Sequence, residues 1–420
     1  MPADDFAQFA SRPTPDWFSR TKFGIFIHWG AYSVPAWAEP IGALGAVPED
    51  EWFAHNPYAE WYFNTIRIQG SPAAQHHLDT WGGRPYDEFL DGWTVDRFDP
   101  AAWSDLFRSA GAGYVVPTTK HHDGIALWDA PGTDGRNTVA RGPHRDLIAE
   151  ITEATRSAGM RVGLYYSGGL DWHVRPFPPH TTSASVHDTA RPKDREYGEY
   201  ASAHCHDLIE RFHPDILWND IEWPDDAKDF EPGGLGELFT DYYRAVPQGL
   251  VNDRWGDTHR DYFTSEYESG LGNETLGQWE NCRGIGYSFG YNQVEDEAVS
   301  LSGAQVARHF VDVVSRGGHL LLNVGPKADG SLADVQVRAL TGLAAFMEAG
   351  GDVVPSGGRS SLEVSAGDGS WARAVTDAEG RDWLFVDGDG DRGNVSVGGR
   401  ELTVDLPGDR PGPVRVDLDA

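Results

Sequence analysis

Two periods alternate along the chain. Short runs rich in β-branched and aromatic residues fall at 23–29, 114–118, 162–166, 215–218, 250–251 and 320–324. Between several of them the apolar positions recur at helical spacing, over 100–109, 147–157, 199–212 and 304–315. The first helical stretch opens on Pro100 and is followed by Gly111 and Gly113, the usual start and stop residues. Asp146 precedes the second, with Glu150 in its first turn, so a side-chain cap and a favourable dipole contact are predicted there. Strands that alternate with helices predict a parallel sheet with helical crossovers.

The last helical stretch, 332–349, ends at Gly350-Gly351. Beyond it the period drops to two, at 372–375, 383–386, 394–397 and 414–418, with Gly, Asp and Pro turns between. The predicted architecture is α/β: a (β/α)8-like barrel over residues 1–353, then a small antiparallel β-sandwich over 354–420. A length of 420 residues suits a barrel, which runs to about 250 residues or more, with a small appendage. The second unit has only Trp371 and Trp383 as aromatic platforms, so a packing role is expected of it.

The residues at the C-terminal end of each predicted strand carry the chemistry. Ile27 leads to His28-Trp29, Thr119 to Lys120-His121-His122-Asp123, and Leu164 to Tyr165-Tyr166. Leu217 leads to Trp218-Asn219-Asp220 and Val251 to Asn252-Asp253-Arg254. Barrel enzymes build their sites from several strand C-termini at once. Packing alone has no use for polar and ionisable groups at five such places, so a functional pocket is expected.

Composition narrows its class. With 65 acidic against 34 basic residues the net charge is −31, which repels a phosphate backbone and excludes nucleic acid as the expected partner. No apolar run approaches the ~18 residues of a membrane span. Residues 1–5 show neither a basic nor an apolar leader pattern, and a cytoplasmic location is expected. Two cysteines, Cys205 and Cys282, cannot make a disulfide framework or a cysteine zinc site. Adjacent His121 and His122 would point to opposite faces of a regular strand, a poor chelating geometry, so no metal is expected. The acidic run 387–391 matches the first ligand positions of a calcium loop. It has Arg392 where the sharp turn needs glycine and Gly398 where the bidentate glutamate belongs, and it reads as a solvated turn. Gly168-Gly169 lacks the helix and spacing of a phosphate loop. Nothing in the sequence indicates an oligomeric state.

The segments Phe23-Gly24-Ile25-Phe26-Ile27-His28-Trp29-Gly30, 58–61 and Thr119-Lys120-His121-His122-Asp123-Gly124 resemble those of α-L-fucosidases of glycoside hydrolase family twenty-nine. So do Tyr165-Tyr166-Ser167, 216–220, Val251-Asn252-Asp253-Arg254-Trp255, Trp279-Glu280, 288–291 and Asn323-Val324-Gly325-Pro326 with Asp329-Gly330. They occur in the family's order over roughly residues 15–350. The resemblance implies a retaining exo-α-L-fucosidase acting on fucosylated oligosaccharides or glycoconjugates, with Asp220 as nucleophile and no metal or organic cofactor. For the acid/base it offers Glu266 first, Glu280 second and Glu268 a distant third. Glu280 also reads as a buried structural carboxylate paired with an arginine, and Glu222 as a loop group. The resemblance further implies that His28, Glu60, Trp61, His121 and His122 contact the sugar, with Trp218 beside the nucleophile. Arg254 is the fixed cation, and Trp61 and Phe289 face the less polar side of the sugar and its methyl group. Tyr166 is placed in the pocket wall, although strand alternation allows only one of Tyr165 and Tyr166 to face inward. Two other functions fit the same barrel: a silent fucose-binding or sensing protein, and an exo-glycosidase for a related sugar such as α-galactose.

Overall fold

Eight parallel strands form one curled sheet in the computed structural model, which describes residues 5–42, 46–267 and 277–418. The strands are β1 (Phe23–Ile27), β2 (Tyr114–Lys120), β3 (Arg161–Ser167), β4 (Ile216–Asp220), β5 (Leu250–Val251), β6 (Phe263–Glu266), β7 (Trp279–Gly284) and β8 (His319–Val324). Their order, β5-β4-β3-β2-β1-β8-β7-β6, wraps the sheet around so that β5 and β6 are its two ends. No ladder joins those ends among the described residues. The seam is tied instead by Asp261 N–H donating to the Val251 carbonyl at 2.9 Å and by Arg254 Nε donating to Thr264 Oγ1 at 3.2 Å.

Long helices fill most crossovers: α1 (Pro100–Ser109), α2 (Leu147–Ser157), α3 (Arg195–Phe212), α4 (Leu235–Ala245), α5 (Gly303–Ser315) and α6 (Asp334–Glu348). Their starts follow from local chemistry. Asp99, Asp146 and Asp194 each accept a backbone N–H from the first turn, and Ser302 with Gln305 closes a reciprocal capping box. Strand alternation then sorts the core into two layers. Ile25, Val115, Leu164, Leu217 and Leu322 face the helices, whereas Phe26, Val116, Tyr165, Trp218 and Leu321 fill the interior. Gly24 is required on β1 because a Cβ there would lie 2.3 Å from the Tyr114 ring, which crosses the interior.

A helical turn at Gly351–Ser356 leads into two antiparallel sheets, one of four strands and one of three. Their shared core is Ala372, Leu384, Val386, Val395 and Leu406. The four-stranded sheet presents Phe385 to Phe346 of α6, with ring centroids 6.1 Å apart, and Arg373 pairs with Asp312 of α5 at 2.6 Å. Trp383 carries a guanidinium from both Arg381 and Arg415, and Trp371 from both Arg308 and Arg373. These rings are engaged in packing. Among the described residues no helix is long and apolar enough to cross a membrane.

Candidate active site

The C-terminal ends of the strands surround a cavity of about 100 Å³. It is lined by His28 after β1, His121 and His122 after β2, Tyr165 on β3, and Trp218 and Asp220 on β4. Arg254 after β5, Glu266 at the end of β6, Glu60, Trp61 and Phe289 line it as well, and Tyr58 closes the side.

Asp220 is held on three sides. Its Oδ2 accepts the Tyr165 hydroxyl at 2.7 Å, and its Oδ1 accepts Arg254 Nη1 and the Ile221 backbone N–H, both at 2.8 Å. Burial pushes the carboxyl up, but the Arg254 charge and these hydrogen bonds outweigh it and hold it down at about 2. Asp220 is therefore an anion at neutral pH.

The guanidinium of Arg254 is shared. Its Nη2 reaches Glu266 Oε2 at 3.3 Å while Nη1 holds Asp220, and the whole group lies over the Trp218 ring, 4.7 Å from its centroid. This bridge depends on the seam: the chain leaving β5 carries Arg254 across to β6, whose last residue is Glu266. The Asn252 side chain fixes the neighbouring strand ends. Its Oδ1 accepts Asn219 N–H at 3.0 Å and its Nδ2 donates to the Asn219 carbonyl at 2.8 Å. Glu266 Oε1 also accepts the Tyr58 hydroxyl at 3.1 Å.

The histidines are neutral hydrogen-bonding groups. Burial depresses His28 to about 4 and His122 to about 3. Asn323 donates its amide to the Phe289 carbonyl, which turns its oxygen toward His28 Nδ1 at 2.7 Å. That nitrogen therefore carries the proton, and Nε2 of His28 is an acceptor. Likewise Ser167 donates to the Leu170 carbonyl and accepts from His122 Nδ1 at 2.7 Å, leaving His122 Nε2 as a lone pair 3.7 Å from Asp220. His121 stacks on Tyr165, and its buried Nδ1 has no hydrogen-bond partner among the described residues.

The predicted opposition of His121 and His122 does not hold. β2 ends at Lys120, so both lie beyond the regular strand, and their ring centroids are 4.0 Å apart at the cavity. With Asp220 they bring potential ligand atoms within 4.8 Å of one another. Both oxygens of Asp220 and Nδ1 of His122 already have protein partners.

Glu60 is buried, accepts the Gly290 N–H at 2.7 Å and is raised to about 7 by burial. Glu280 lies beneath the floor rather than in it. It accepts the Tyr114 hydroxyl at 2.6 Å and Trp218 Nε1 at 3.0 Å, so its direct partners are a tyrosine and a tryptophan and not the expected arginine. Glu222 pairs with Lys228 at 3.0 Å in the loop after β4. Glu268 lies outside the described residues.

Tyr166 requires a correction. Its ring belongs to the layer under the helices, where its hydroxyl meets His204 Nδ1 at 3.0 Å, and Tyr165 takes the place in the cavity wall. The register explains the choice, because Tyr165 pairs with inward-facing Trp218. Tyr58, Phe26, Ile221 and Cys282 also line the cavity and are not among the predicted site residues. For Tyr58 and Phe26 the available signal is their place in the 58–61 and 23–30 segments; Ile221 and Cys282 have none in the sequence.

A family model described as alpha-L-fucosidase matches residues 3–352. The tissue alpha-L-fucosidase of Homo sapiens is 33% identical over an alignment of 368 residues that covers 83% of this chain and 71% of that protein. A crystal structure of Thermotoga maritima alpha-fucosidase superposes with a TM-score of 0.84 at 39% identity, covering 97% of each chain. The structure of the Thermotoga maritima enzyme in complex with fucose gives 0.83 at 41% identity, over 94% of this chain and 88% of that one. On this fold, this arrangement of side chains and these matches, the chain belongs to the alpha-L-fucosidase family of glycoside hydrolases.

Proposed function

We propose that the enzyme removes terminal α-L-fucosyl groups from fucosylated oligosaccharides or glycoconjugates with retention of configuration, through a covalent fucosyl-Asp220 ester. The observation that carries this reading is the asymmetric pair of carboxylates on one guanidinium. Asp220 is the deeper, with 11% of its side chain exposed, and is held ionised. Glu266, at 25%, faces the mouth. A shared Arg254 is compatible with the separation of about 5–5.5 Å that retaining glycosidases use.

In the first step an Asp220 oxygen bonds to the anomeric carbon as the glycosidic C–O bond breaks. Glu266 delivers its proton to the departing oxygen. In the second step Glu266, now ionised, takes a proton from water, which attacks the same carbon and releases Asp220. Arg254 and the Tyr165 hydroxyl hold the nucleophile in line, and positive charge developing on the sugar is stabilised by Asp220 itself. His28, His121 and His122 line the cavity as partners for sugar hydroxyls. Trp61 and Phe289 supply its apolar surface. The Thermotoga maritima structure in complex with fucose supports a fucosyl group as the ligand. None of the steps calls on a metal or an organic cofactor.

Proton NMR of the first product from an aryl α-L-fucoside tests the proposal. The α-anomer should form first and mutarotate later; the β-anomer first would mean inversion and overturn it.

A further inference from the structure

The residue after the nucleophile has a backbone that glycine would fit better. Ile221 has φ of +69°, and among the described non-glycine residues with positive φ it is the only β-branched one. The Glu222 N–H donates to the Asp220 carbonyl at 2.9 Å, closing a three-residue turn around Ile221, of the rare strained hand. The Ile221 N–H at the start of this turn donates to Asp220 Oδ1 at 2.8 Å. The turn also explains Gly169, where a Cβ would lie 2.8 Å from that of Ile221. Glycine at 221 would make the same turn without strain. What isoleucine adds is its side chain.

That side chain stands where two cavities meet. Beyond the inner cavity lies an outer one of about 410 Å³ with apolar walls from Val47, Trp52, Phe53 and Val186. Both are bordered by Ile221, Tyr58, Trp61, Arg254 and Glu266. A fucosyl group in the inner cavity with its glycosidic oxygen at Glu266 must send its leaving group into the outer one.

We infer that Ile221 is a specificity-determining residue: its side chain, carried on the strained turn, contacts the leaving group and favours one with a flat apolar face, such as an aryl ring or the C–H face of a sugar. The inference rests on the proposed roles of Asp220 and Glu266. A strained residue retained beside the chemistry is the pattern expected where the side chain is used.

The test compares α-L-fucosyl fluoride, whose leaving group is a single small atom, with 4-nitrophenyl α-L-fucoside. In Ile221→Gly the ratio of kcat/KM for the aryl fucoside to that for the fluoride should fall at least ~5-fold, toward the ~10–200-fold range of one apolar contact. Ile221→Val, which keeps the branched wall, should hold the ratio within ~5-fold of the wild type. A ratio in Ile221→Gly that falls less than this overturns the inference, whether both rates drop or neither does. If melting curves show that Ile221→Gly does not fold, Ile221→Ala takes its place with the same criterion. Asp220→Gly separates the two levels: it should lose turnover of both substrates. If it still hydrolyses the fluoride, the assignment of the nucleophile fails, and the inference with it.

Discussion

Two buried ion pairs lie near the same end of the barrel, and only one belongs to the site. Lys120 meets Asp171 at 3.0 Å with both side chains fully buried, and Arg254 meets Asp220 at 2.8 Å beside the cavity. A register shift after Thr118 turns Lys120 to the helix side, although His121 follows it directly. There its ammonium is closed in by Asp171, the Tyr197 hydroxyl at 3.3 Å and the Tyr166 ring. One cation faces one anion and nothing is left over. At Arg254 a single guanidinium faces two carboxylates, beside open space. That surplus carboxylate is what a site with two carboxylate roles requires. Burial and charge pairing describe both places; charge imbalance beside a cavity describes only the second.

The comparison breaks most visibly at Glu266. Glu266→Ala should slow a fucosyl disaccharide by about 10²–10⁴-fold but a dinitrophenyl fucoside far less, since a good leaving group hardly needs a proton. Glu280→Ala should show no such dependence on the leaving group, because Glu280 lies under Trp218 rather than facing the cavity. If the dependence appears in Glu280→Ala and not in Glu266→Ala, the two carboxylates have been assigned the wrong way round.

At the closed pair, Lys120→Met should cost about 3–5 kcal/mol of stability by leaving Asp171 buried and unpaired. KM of the folded fraction should stay unchanged, and denaturant melts alongside kinetics would read both. A raised KM with little loss of stability would place Lys120 in the site after all.

The two neighbouring tyrosines sharpen the contrast at a smaller scale. Tyr165→Phe removes a hydrogen bond to a charged group and should lower kcat about 10–100-fold. Tyr166→Phe removes a bond to neutral His204 and should cost about 1 kcal/mol of stability with kcat unchanged. Equal effects on kcat would contradict the sorting of the two faces.

A further effect is a slope rather than a level. Burial raises Glu280 to about 7, above its unfolded value, so the folded state binds the extra proton. Its contribution favours folding below the unfolded pKa and is lost as pH rises toward 7. Glu280→Gln should flatten that part of the stability profile. An unchanged slope would show that Glu280 is ionised in the folded protein.

Much of the fold is legible from pattern alone. The helices predicted at 100–109 and 147–157 are observed with those bounds, because each carries a cap and a stop in its own sequence. β6 and β7 escape the pattern: Phe263–Glu266 is short and half-buried, and Trp279–Gly284 carries Glu280, Asn281 and Arg283 where a strand is expected to show an apolar run. Those polar residues are tolerated in part because Tyr114, Trp218 and His309 bond Glu280 and Asn281 from other elements. The same limit applies at the site. Asp220, Arg254 and the histidines stand out at strand ends, but the inward choice of Tyr165 depends on register with β4. The use of Arg254 as a bridge depends on a seam that no local period encodes.

The most direct test of the proposed nucleophile is Asp220→Gly with added azide. Removing the carboxylate leaves space for a small anion on the face of the sugar that Asp220 is proposed to attack. The variant should show almost no ordinary turnover of an aryl α-L-fucoside, and azide should restore activity with formation of β-L-fucosyl azide, the inverted product. Near wild-type turnover without azide, or an azide product of retained configuration, would contradict the role given to Asp220.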